Sequence, residues 1–272
     1  MKKHLSLFIF YIILSGAVYA QKILDPCVQY RIAYTFFYQR DSTRQQYDKD
    51  LYFLDICKEQ SFFYSRTKFY RDSVRSAVFA KVADIGATLN AIRPLERGLD
   101  WYNIKEFANQ RISLLLDSPL LVFRADEALA IPNWSLSEDT LTVSGYICKK
   151  ATAFFKGREW TAWYAPAIPL SDGPWLLWGL PGIILRANDS KGYFSFEGME
   201  ITEGPYTQLV LPHEKTRTKQ VSMKEYKQLE ASDLSNDHAL ISKMSGVIHM
   251  EAYNADGTPS YPLRKKFIQL IK

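Results

Sequence analysis

The stretch VQYRIAYTFFYQ, residues 28–39, alternates throughout. Val28, Tyr30, Ile32, Tyr34, Phe36 and Tyr38 hold one set of places, and Gln29, Arg31, Ala33, Thr35, Phe37 and Gln39 hold the other. Successive side chains of a strand point to opposite faces, so this period of two predicts a half-buried antiparallel strand. Residues 40–50 are polar and read as a loop. Leu51–Cys57 and Phe62–Ser65 read as two further strands, the first closing a hairpin with residues 28–39 near residue 45.

The period then changes. Val74, Val78, Val82, Ile85, Leu89 and Ile92 recur every three or four places, which predicts one helix over 72–93 with that face on the sheet. Asp72 or Ser73 can cap it and Pro94 stops it. Strand-like runs return at Tyr102–Phe107 and Ile112–Leu116, for which a helix is the alternative, and at Leu120–Phe123, Leu141–Gly145, Tyr146–Phe155, Glu159–Tyr164, Ile183–Ala187, Tyr193–Ile201 and Leu209–Leu211. Met223–Met244 reads as a polar helix. The expected fold is β-dominated α+β: a curved antiparallel sheet, half-barrel-like, with one long helix packed on it and a second, C-terminal helix.

The first twenty residues stand apart. Lys2 and Lys3 precede an apolar run from Leu5 to Val18, which ends in Val18-Tyr19-Ala20. This is the pattern of a secretory signal peptide cut after Ala20, too short to span a membrane as a helix. Residues 21–272 then form a single domain of 252 residues, exported to the periplasm or the cell surface. Cleavage removes two lysines and lowers the formal charge from +5 to +3, spread without a dominant cluster. A nucleic-acid partner is not expected. The densest basic runs, Lys215–Lys219 and Arg264–Lys266, leave peripheral contact with a membrane surface open. Export permits disulfides, and Cys27, Cys57 and Cys148 are three. In a hairpin closing near residue 45, Cys57 faces residue 33, about 20 Å of strand from Cys27, which argues against that pair. Without a C-x-x-C or a suitably spaced histidine, no metal site and no cofactor are expected.

The remaining pattern lies in the middle of the chain. Gly145-Tyr146-Ile147-Cys148-Lys149-Lys150 is followed by Lys156-Gly157-Arg158-Glu159-Trp160-Thr161-Ala162-Trp163-Tyr164. Asp172-Gly173-Pro174-Trp175 and Gly179-Leu180-Pro181-Gly182-Ile183-Ile184 come next. Proline fixes its own φ and glycine accepts φ > 0, so Leu180-Pro181-Gly182-Ile183 predicts a type II turn that feeds Ile183–Leu185 into the sheet. Trp163, Trp175 and Trp178 are near enough in sequence to pack around the bends, with Leu180, Pro181 and Gly182, either as a corner of the core or as a surface that receives a ligand or partner.

In order and spacing, this series resembles the GLPGLI family, also called Porph_ging, of exported proteins in the Bacteroidetes group. The name has Leu where this chain has Ile183. The resemblance is strongest over residues 134–201 and implies no catalytic residues, because the family is one of unknown function. At the level of fold, the strand order and the inserted helix are similar to half-barrel lipoprotein carriers.

Catalytic signatures are lacking. The chain has no G-x-S-x-G, H-E-x-x-H, G-K-[ST] or G-x-G-x-x-G. Asp126, Glu127, Asp172 and Asp189 read as solvated acids beside turns, and His213 has no visible partner. Two functions remain ahead of an enzyme: an envelope protein that binds an apolar or lipid-like ligand between sheet and helix, or an accessory protein that docks on an outer-membrane transporter or another envelope component.

Overall fold

The structure, a computed structural model, describes residues 27–39, 46–118, 121–206 and 218–231. Outside them lie the expected signal sequence, the strand expected at Leu209–Leu211, His213, Lys215, Arg217, Arg264–Lys266 and the second half of the expected helix 223–244. In chain order the elements are β1 (Val28–Tyr38), β2 (Asp48–Ile56), β3 (Gln60–Ser65), α1 (Arg66–Val82), α2 (Ile85–Ile92), β4 (Trp101–Glu106), β5 (Arg111–Asp117) and β6 (Val122–Ala128). They continue with β7 (Ser135–Val143), β8 (Tyr146–Phe155), β9 (Arg158–Ala165), β10 (Ile183–Asp189), β11 (Phe194–Tyr206), β12 (Thr218–Gln220) and α3 (Met223–Ala231).

The twelve strands among the described residues belong to one open sheet, in the order β12-β6-β5-β4-β3-β2-β1-β11-β10-β9-β8-β7. Its ladders are antiparallel except the short β12–β6 pair, which is parallel. Two hairpins turn in two residues, both with positive φ: Ser144-Gly145 at 50° and 85°, and Lys156-Gly157 at 50° and 74°. That is the type I′ geometry, whose twist matches the strands it joins. The sheet curls without closing, far enough for side chains from its two halves to touch. Lys156, in the turn after β8, lies 2.5 Å from Glu127 on β6, although β8 and β6 are each second from opposite edges.

The alternation in residues 28–39 holds from Tyr30 to Tyr38, but Val28, past a register shift between Val28 and Tyr30, joins the cluster on the other face. Ile32, Tyr34, Phe36 and Tyr38 face the inside of the curl, where Phe36 stacks on Phe196 with centroids 4.5 Å apart. A smaller apolar cluster, including Phe62, Tyr64, Tyr102, Ile104 and Leu115, covers the outer face of β3–β5.

Two expectations need correction. The helix over 72–93 is two helices. Ser65 caps α1, its Oγ accepting from the Lys68 N–H at 3.0 Å. Ala83 then turns left-handed at φ 49°, and the Asp84 carboxylate caps α2 by accepting from the Ala87 N–H. The stripe of valines does not face the sheet: α1 buries no residue, Val82 is 48% exposed and Leu89 54%, and of the expected face only Ile92 is described as buried. The first turns of α1 attach it instead, through Phe69 against Tyr64 and through ion pairs of Lys68. Lys68 Nζ lies 2.6 Å from Asp72, 2.7 Å from Asp117 and 3.6 Å from Asp100. Second, Cys27 and Cys57 form a disulfide, with Cα atoms 5.3 Å apart. The β1–β2 hairpin pairs Tyr38 with Asp48 and Tyr30 with Ile56, so it turns two residues earlier than position 45. That brings Cys57 beside the start of β1, not opposite residue 33. Cys148 is buried and free.

Candidate functional site

The inside of the curl is filled by the chain itself. Between β9 and β10 the backbone leaves the sheet and crosses the concave face, burying Trp175, Leu176, Leu177, Trp178 and Leu180 in the main core. This crossing carries the family-like motifs. It is held at three places.

At its start, Asp172 meets Lys105 of β4. Both are buried, Lys105 completely; its ammonium donates to Asp172 Oδ1 at 2.5 Å and to the Gly173 carbonyl at 2.7 Å. Asp172 Oδ1 also accepts from the Gly173 N–H, and the Ile184 N–H donates to the Asp172 carbonyl. Burial lowers the Lys105 pKa, with Asp172 opposing the shift. It raises the pKa of Tyr34, whose hydroxyl donates to the Ile184 carbonyl at 2.7 Å. Gly173 is required by space, since a Cβ there would lie 2.8 Å from both Ile184 Cβ and the Leu177 carbonyl.

In the middle, Pro174–Leu177 is a turn closed by the Leu177 N–H on the Pro174 carbonyl. Trp175 takes φ 53° within it, a conformation a bulky side chain adopts only when its surroundings impose it. Here the indole is buried against Trp160, with centroids 5.3 Å apart. Trp178 Nε1 donates to the Ala130 carbonyl, and Trp134 Nε1 to the Trp178 carbonyl.

At its end is the turn at Pro181. Gly182 has the positive φ expected, at 151°, but the turn is tighter than type II. The Gly182 N–H bonds to the Leu180 carbonyl at 2.8 Å, two residues back, making a γ-turn around Pro181. A Cβ on Gly182 would fall 2.6 Å from the Ala165 carbonyl carbon. Ile183, Ile184 and Leu185 are all fully buried, so the run after the motif is apolar because both of its faces are covered.

Of the six candidate residues, Trp175, Trp178, Leu180 and Gly182 thus come together inside the curl, while Pro181 is exposed. Trp163 is half-buried at the margin of the main core. It pairs with Lys150 and Arg186 on the strand face opposite Trp160. The expectation of solvated turn acids is corrected for two of the four. Asp172 and Asp189 are buried, the latter 2.9 Å from Arg158 and accepting from the Phe194 N–H. Sequence reasoning passed over Lys105 and Asn103. Both occupy inward places in β4, and Asn103, Ser61 and Asp172 Oδ2 present buried polar atoms with no hydrogen-bond partner among the described residues. A lysine within a strand was the available signal, but Tyr102 and Ile104 hid it: their alternation with Asn103 and Lys105 reads as apolar-in and polar-out, whereas β4 buries both faces.

The model of the family described as "Protein of unknown function (Porph_ging)" matches residues 154–186, from the end of β8 through the crossing segment, and is the family the ordered motifs resemble. No curated protein matches the chain in sequence. Among solved structures, that of PNGF-II in space group C2 is 14% identical with a TM-score of 0.50, over 74% of this chain and 32% of that one. Such a likeness speaks to the fold alone, and this chain spans about a third of PNGF-II. A LolA superfamily protein from Nitrosomonas europaea is 10% identical over 72% of this chain and 96% of its own, at a TM-score of 0.26 that carries no argument.

Proposed function

We propose that this chain, whose residues 154–186 carry the Porph_ging pattern, is exported to the cell envelope and acts there by docking on another envelope component. The observation that supports docking over an internal ligand is the crossing segment, which puts Trp175, Leu177, Trp178 and Leu180 on the concave face where a ligand between sheet and helix would lie. Large apolar groups appear on the outside instead. Ile147 is 70% and Phe154 71% exposed on β8, with Leu136 exposed on the neighbouring β7. Among the described residues β7 is the last strand on its side of the sheet, an edge to which a partner strand can add.

The test is site-specific photo-crosslinking in exporting cells, with the reactive group at Ile147 or Phe154 and, as a control, at Glu200. One discrete adduct from the β7–β8 sites and none from the control is the expected result. Stoichiometric lipid on the purified chain in native mass spectrometry, without an adduct, would replace docking by the apolar-ligand reading.

A further inference from the structure

The helical insert has a use the sheet does not explain. Residues 66–97 contain seven basic and three acidic side chains, and with Lys68 matched by Asp72, Asp100 and Asp117 the surface charge rests on the arginines and Lys81. Arg66, Arg75, Lys81, Arg93 and Arg97 are exposed, against Asp84 and Glu96 among the acids. In the same insert Phe79, Val82 and Leu89 are each about half exposed, while Tyr70, nine residues before Phe79, projects from the opposite side of α1. Stability does not call for these apolar groups on the surface, since α1 is attached through Lys68 and its carboxylates.

We infer that α1–α2 is a docking surface for an anionic lipid bilayer. Basic side chains draw such a surface close at about a fivefold gain in affinity each, and exposed aromatic and aliphatic groups then enter the interface between headgroups and chains. An acidic protein would answer the charge but leave Phe79, Val82 and Leu89 in water; a bilayer takes both. The inference uses a different surface from the β7–β8 edge and stands whether or not that edge has a partner.

The test is co-sedimentation of the mature chain with vesicles of phosphatidylcholine alone or with about one third phosphatidylglycerol. Binding is expected only with phosphatidylglycerol and should weaken as salt rises. The triple variant Lys81→Gln, Arg93→Gln, Arg97→Gln should bind on the order of a hundredfold more weakly. Phe79→Ser with Leu89→Ser should also lose binding, at low and high salt alike. All these positions are exposed, so the variants should keep the wild-type circular dichroism spectrum and Tm. Equal sedimentation with both vesicle types, or wild-type binding by the triple variant, would overturn the proposal.

Discussion

Gly182 combines φ 151° with no room for a Cβ beside Ala165. Gly182→Val should therefore cost a few kcal/mol in urea denaturation. Pro181→Ala should cost only about 1 kcal/mol, because Pro181 is exposed and mainly restricts the unfolded chain. Lys105 and Asp172 make a sharper case, since each buried charge depends on the other. Lys105→Met or Asp172→Asn alone should destabilise by about 3–5 kcal/mol, and the double variant by clearly less than the sum. Additive effects would show that the two charges are not coupled. The requirement at Gly182 was legible, since a Pro-Gly pair before an apolar run demands unusual backbone. The Lys105–Asp172 pair was not: its partners are 67 residues apart, and nothing local announces which distant group meets a turn acid.

At the scale of elements, local patterning served strands better than helices. β1 and β8–β11 were legible because alternation and turn chemistry act within ten residues. The apolar stripe from Val74 to Ile92 was real but misled, because it does not face the sheet. An inserted helix pair can be attached at its polar end, and here Ser65, Asp84 and the carboxylates around Lys68 set its course. Val82→Asp should consequently change stability by no more than about 0.5 kcal/mol, the ordinary range for a surface site. Lys68→Met should destabilise more, since it leaves Asp72 and Asp117 facing each other without their shared cation. A large loss for Val82→Asp in thermal denaturation would return the valine stripe to the core.

At the scale of the molecule, the β class follows from the strand patterns, but the curl does not. It depends on contacts between strands far apart in the chain, such as Lys156 with Glu127, and on the segment that fills it. The Cys27–Cys57 bridge ties the first described residue to the end of β2, and replacing both cysteines by serine should lower stability by about 2–4 kcal/mol. Export is checked by N-terminal sequencing of the secreted chain, expected to begin at Gln21. The central claim is that the segment crossing the concave face is part of the core and not a lid over a ligand site. Native-state hydrogen exchange tests it at the Leu177, Gly182 and Ile184 amides, all hydrogen-bonded within or beside the segment. These amides should exchange only through global unfolding, with the same denaturant dependence as the slowest amides of β1 and β2. Exchange through a separate, cheaper opening of residues 170–184, while the sheet stays protected, would contradict the account.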